Sequence, residues 1–155
     1  MIVSRETIYA ATFARIAALK GTVIQDCSRK LIHWEDLQPS QMPFVCQVQM
    51  PERGDYKLMQ GVPTKWNGRI SYVIYVSSAG DSDLVPSTAM NNVVDAIEAA
   101  FSPFKSNGQR NTDEQQGRCT LGGLVHDIRV FGEVELDDGS LGTQSVAIVP
   151  VEFIV

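Results

Sequence analysis

The chain is poor in the residues from which reactive centres are usually assembled. It holds two histidines, His33 and His126, and three cysteines, Cys27, Cys46 and Cys119. The cysteines are odd in number and far apart, which excludes both a disulfide framework and a clustered metal motif and leaves reduced, mostly buried thiols as the expectation. A two-histidine metal site would need further ligands from distant segments, and no characteristic spacing supplies them. Long apolar runs are missing as well. Arg5, Glu6, Arg15 and Lys20 interrupt the N-terminal segment that most resembles an export signal, and no stretch approaches the roughly 20 apolar residues that cross a bilayer. The expectation is a soluble protein made in a reducing compartment, with no membrane association. Basic charge is also scarce. Thirteen Lys and Arg against eighteen Asp and Glu give a net charge of -5, which argues against a surface devoted to gripping nucleic acid.

Other signatures of chemistry are absent in turn. The acidic pairs Asp81 with Asp83, Asp113 with Glu114 and Asp137 with Asp138 fall in turns, where carboxylates cap backbone donors, and they do not reproduce a calcium loop. Gly122-Gly123 lacks both the GxxxxGK pattern and the strand-to-helix setting of a phosphate cradle, so it reads as a tight turn or bulge. A thiol nucleophile built from Cys46 or Cys119 with His126 is formally possible. Cys46 alternates with Phe44 and Val48, which favours a core thiol. His126, flanked by Leu124, Ile128 and Val130, is expected to be half-buried in a strand. No catalytic, cofactor-binding or metal residue is therefore assigned.

What the sequence does contain is packing. At 155 residues with 44% hydrophobic composition the chain fits one domain with one core. Ser4 to Lys20 reads as an amphipathic helix, with Ser4 as N-cap and Gly21 as its stop. Pro43 to Met50 alternates as a strand, with Phe44, Cys46, Val48 and Met50 on one face and Val45, Gln47 and Gln49 on the other. Arg69 to Val76 forms a second strand. A second helix runs from about Ser87, a candidate cap, to Phe101, with Val93, Val94, Ile97, Ala100 and Phe101 on its buried side. The segment from Leu121 to Val155 is β-rich, with a hairpin signal at Asp138-Gly139. Two excursions interrupt this order, at 52–68 and 103–117. The first is apolar enough, through Met59 and Trp66, to be either a partner surface or a twisted hairpin packed on the core. The second is polar, and Arg110 and Arg118 supply most of its basic character. The order predicts an α+β fold, a mixed or antiparallel sheet with two helices packed on one face, and it lacks the regular βαβ units of a doubly wound sheet.

The helix RETIYAATFARIAAL, Trp34 with PFVCQVQ, the strand RISYVIYV, the helix segment NNVVDAI, LVHDI and the closing GEVELDDGSLGTQSVAIVPVEFIV together cover most of the chain. In order and composition they resemble the small tail-terminator, or tail-completion, proteins of long-tailed bacteriophages, minor tail proteins of the siphophage type. The resemblance implies a subunit of a ring, commonly a homohexamer, at the head-proximal end of the tail tube. Such a ring ends tube polymerisation and offers the surface for head-tail joining. It implies the tail tube protein and a head-completion or connector protein as partners, with genomic DNA passing the lumen without specific recognition. It also implies assembly in the host cytoplasm, residence in the virion tail, and no enzymatic activity or cofactor. Physical reasoning nominates the contact residues. Met59 and Trp66 are chosen because soft and aromatic groups concentrate binding energy, and Arg110 and Arg118 either add ion-pair registration or face the lumen. Other classes open to this sequence are another head-tail completion or tail-tube ring protein, a simple homodimer, and a small α+β ligand-binding protein or enzyme.

Overall fold

The computed structural model describes residues 3–55, 65–81, 83–102, 117–139 and 142–155. Helix α1 covers Arg5–Ala17, and its start is fixed by the Ser4 hydroxyl, which accepts a hydrogen bond from the Thr7 amide at 3.2 Å. It ends three residues before Lys20. The Leu19 and Lys20 amides bond back to Ile16 and Ala17, tightening the last turn before Gly21 at φ +81°. Strand β1 (Asp26–Ser28) follows, then 3-10 turns at Trp34–Asp36 and Pro39–Gln41.

Strands β2 (Phe44–Asp55) and β3 (Lys65–Ser77) pair antiparallel on both sides of a register shift at Pro51 and Glu52, including Gly54 opposite Trp66 and Asp55 opposite Lys65. The described ends of the first excursion are therefore paired strands of the sheet. Residues 56–64, Met59 among them, lie outside the described residues. Helix α2 (Pro86–Phe101) starts one residue earlier than the sequence predicts. Pro86 occupies its first turn and no side chain caps it, so the favourable fixed φ of proline takes the place expected for Ser87. Its buried residues are Met90, Val93, Ile97 and Phe101, whereas Val94 and Ala100 are only partly covered. Strands β4 (Asp127–Val130), β5 (Glu135–Asp137) and β6 (Gln144–Ile154) complete the chain.

The sheet order is β1-β2-β3-β6-β4, with β5 also paired to β6. Only β1 and β2 run parallel; every other pair is antiparallel. This is a mixed sheet in an α+β fold. Both helices contribute to the same core as one sheet face: Ile8, Tyr9 and Ile16 from α1 and Met90, Val93, Ile97 and Phe101 from α2 meet Ile70, Tyr72, Ile74, Ala147, Val149, Val151 and Phe153. Strand β6 alternates without a break, every second residue being buried. Val151 and Phe153 reach the core, while Ile154 points to the opposite face and is only partly covered. Leu121, Gly122 and Gly123 all adopt positive φ, so the glycine pair makes the tight turn that its sequence predicts.

Face assignment on β2 is the unexpected feature. Val45 belongs to the helix-covered core, and Gln47 lies buried on that same side. Phe44 and Cys46 instead join Leu37, Met42 and Tyr75 in a smaller core on the opposite face, beneath the segment that precedes the strand.

Gly68 marks the closest approach within the main core. A methyl group there would fall inside the Phe153 ring, a clash at the upper end of ordinary overpacking penalties. Gly68→Ala is expected to lower unfolding free energy by about 3 kcal/mol, and Phe153→Leu in the same chain to recover part of the loss. Equal denaturant midpoints for wild type and Gly68→Ala would show that the ring moves aside freely.

Candidate assembly surface

A chain of buried polar groups attaches α1 to the sheet. The Tyr72 hydroxyl donates to Gln47 Oε1 at 3.0 Å, Gln47 Nε2 donates to the Tyr9 carbonyl at 2.9 Å, and the Thr12 hydroxyl donates to the same carbonyl at 2.8 Å. Each group is buried and each has a partner, as low-dielectric surroundings require. At the start of α1, Arg5 Nε meets Glu52 Oε2 at 2.6 Å and the Tyr9 hydroxyl donates to Glu52 Oε1 at 3.0 Å. Burial pushes the Tyr9 phenol up to about 12, with Glu52 adding to the shift, and raises Tyr72 further still.

Trp66 belongs to this assembly. It is 6% exposed, meets Phe153 edge to face at 5.3 Å between ring centroids, and lies beneath the Arg5 guanidinium 4.7 Å away. The nominated contact residue is thus a core residue of the subunit, because β3 begins early enough to carry it on the helix-covered face. Arg118 is half-buried just after residue 117, whose carbonyl accepts a hydrogen bond from Arg15 Nη2 at 3.1 Å. Met59 and Arg110 lie outside the described residues. His126 is exposed, a correction to the half-buried strand position: β4 starts at Asp127, so the alternation does not extend back to it. His33 is also exposed and stacks on Trp34 at 5.7 Å. Cys46 is buried on the face opposite to that of Cys27, so the neighbouring strands do not bring the two thiols together for pairing. Burial pushes both thiols up. Among the described residues no three His, Cys, Asp or Glu side chains are grouped as metal ligands.

The feature left uncovered is the second sheet face. At its β2 start that face is closed by the smaller core, but towards the β2–β3 hairpin it opens into a groove of about 360 Å³. Met50, Arg69, Ser71, Phe131, Pro150 and Glu152 line it. Met50 is 40% and Phe131 50% exposed, far from the usual burial of such side chains. Phe131 is held over the face by Arg129, whose guanidinium lies 5.2 Å from its ring centroid. The signal available in the sequence was an aromatic between the end of a strand and a glycine, with charged residues, Arg129 and Glu133, two positions away on either side.

The outer edge of β2 is guarded in contrast. Its pairing with β1 stops at Cys46, and beyond that come Pro51, Glu52 and a register shift between Met50 and Arg53. Proline, charge and a bulge are the usual devices against strand addition. The exposed apolar side chains Met50 and Phe131 lie on the open face rather than along that edge.

No family model matches the sequence, and no curated protein matches it.

Trp66→Ala is expected to cost about 3–5 kcal/mol of subunit stability, as large aromatic truncations in cores do, measured by chemical denaturation. An unchanged midpoint would place the residue outside the core. A second expectation concerns alkaline pH. The folded state holds the Tyr9 and Tyr72 phenols protonated above their ordinary value near 10, so their contribution is complete below pH 10 and declines as pH rises above it, that of Tyr9 being lost by about 12. The thermal midpoint should fall steeply across that window, and Tyr9→Phe should flatten the fall. A midpoint independent of pH up to 12 would refute the linkage.

Proposed function

We propose that this chain is a structural subunit that assembles into a ring, of the tail-terminator or tail-completion type that its sequence resembles, at the head-proximal end of a long phage tail. The observation that carries this reading is the unequal treatment of the two sheet faces. One is sealed by both helices, while the other is sealed at one end and left as an apolar groove at the other. A monomer that expends no chain on covering Met50 and Phe131, yet guards its β2 edge, has the anatomy of a subunit whose exposed apolar face is completed by a neighbour. Repetition of one such contact around a closed ring supplies strength that a single contact lacks.

On this reading the chain acts by shape and needs no chemistry of bond making. The ring stops tube growth because its two rims differ, one matched to the tube protein and the other to a head-completion or connector protein. The closing strand β6 lies between β3 on one edge and β4 and β5 on the other, so force transmitted through the tail would meet an element held from both edges.

Negative-stain electron microscopy of the purified protein, with the mass distribution of the same sample, tests the proposal. The expected result is closed rings of uniform size that do not lengthen. Stacked rings would favour a tube protein, and a uniform monomer would refute ring formation.

A further inference from the structure

The charges of this chain are unevenly distributed. Residues 31–52, 70–102 and 130–155 contain no Lys or Arg, and parts of each, residues 34–46, 72–81, 135–139 and 142–147, build the end of the sheet where β3 leaves and β6 enters. There Ser77 pairs with Gln144, the Ser78 amide bonds to the Thr143 carbonyl, and Asp137 stands opposite Val146. Trp34 reaches the same place, lining a cavity of about 200 Å³ with Asp137, Thr143, Gln144 and Val146. The exposed acids of this end are Glu35, Asp36, Asp81, Asp83, Asp137 and Asp138. Among them Trp34 protrudes, 38% exposed, on the face that carries Asp137 and Val146.

The groove end of the open face has the opposite character. By strand register Arg53, Lys65, Arg69 and Arg129 fall on that face, and all four are exposed. Of the acids nearby, Glu152 and Asp127 are only partly exposed, and the exposed Glu133 follows Phe131 and Gly132 of the groove lining. The Glu152 side chain is 12% exposed, beneath Arg69 at 57%, with 3.9 Å between Arg69 Nε and Glu152 Oε1. Four exposed cations of one face thus stand around the apolar centre formed by Met50, Phe131 and Pro150.

We infer that the groove is occupied by the acidic end of a second copy of this chain, Trp34 entering between Met50 and Phe131 while Glu35, Asp36 and Asp138 face Arg53, Lys65 and Arg129. This rests on the ring reading above and names its contact. The two patches are different surfaces of one chain, so the contact is heterologous and repeats from copy to copy until it closes. Complementary charge fixes its register, and the desolvated aromatics at its centre supply the affinity.

Charge reversal tests the inference on the full chain. One variant carries Glu35→Lys, Asp36→Lys and Asp138→Lys; the other carries Arg53→Glu, Lys65→Glu and Arg129→Glu, sparing Arg69 above Glu152. Each alone juxtaposes like charges and is expected to raise the concentration for half-assembly by about tenfold or more. Mixed together they are expected to reassemble, alternating around the ring, which a mass tag on one of them reveals. Wild-type rings with both variants equally assembled would overturn the contact and leave the ring reading standing, as would two dissociated variants that fail to combine. A wild-type chain that stays monomeric overturns the ring reading itself. Trp34→Ala and Phe131→Ala, which change no charge, provide a second route should a reversed variant lose its cooperative thermal transition: weakened association is expected, and unchanged association overturns the contact.

Discussion

The hydrogen-bonded chain from Tyr72 through Gln47 to the Tyr9 carbonyl is the constraint on which the remaining architecture depends. A glutamine amide buried beneath a helix is costly unless both of its ends are used, and here the oxygen accepts from Tyr72 while the nitrogen donates to Tyr9. The geometry fixes the rotation and height of α1 over β2 and β3. It also fixes which face of β2 lies under the helix. Tyr72 in turn stacks on Phe101 at 6.3 Å between ring centroids, so the end of α2 is positioned against the same group.

From that choice the second face follows. Once Val45 and Gln47 point to the helices, Phe44, Cys46, Val48 and Met50 must point the other way, because side chains alternate along a strand. The chain covers the first two with Leu37 and Met42 from the preceding segment and with Tyr75. It leaves Met50 exposed beside Phe131. The groove is thus a consequence of the polar clasp on the other side of the sheet, and the surface proposed for assembly is tied to the packing of α1 through the width of one strand.

The long hairpin stem joins the two. Glu52, at the bulged part of β2, accepts from both Arg5 and Tyr9, and Trp66 across the stem is wedged between Arg5 and Phe153. The helix N-terminus therefore braces the stem on one side while Arg53, Lys65 and Arg69 are presented on the other. Subunit stability and surface presentation share the same residues, which is why a large aromatic in this region is a poor guide to contact by itself.

Much of the fold was legible in the chain. The Ser4 cap, both helices, the alternating strands and the glycine turn at 122–123 are local matters of capping, period and permitted backbone angle, and each lies close to its expected place. The candidate surface was less legible. Trp66 looked like a contact because its strand was expected to begin at Arg69, and the residues that line the groove, Met50 and Phe131, carried no signal beyond being apolar near turns. Periodicity determined that β2 has an apolar and a more polar face; it did not determine which one meets the helices. That was decided by tertiary structure, for a physical reason: Gln47 satisfies its hydrogen bonds only against Tyr72 and the Tyr9 carbonyl, two partners that folding alone brings together.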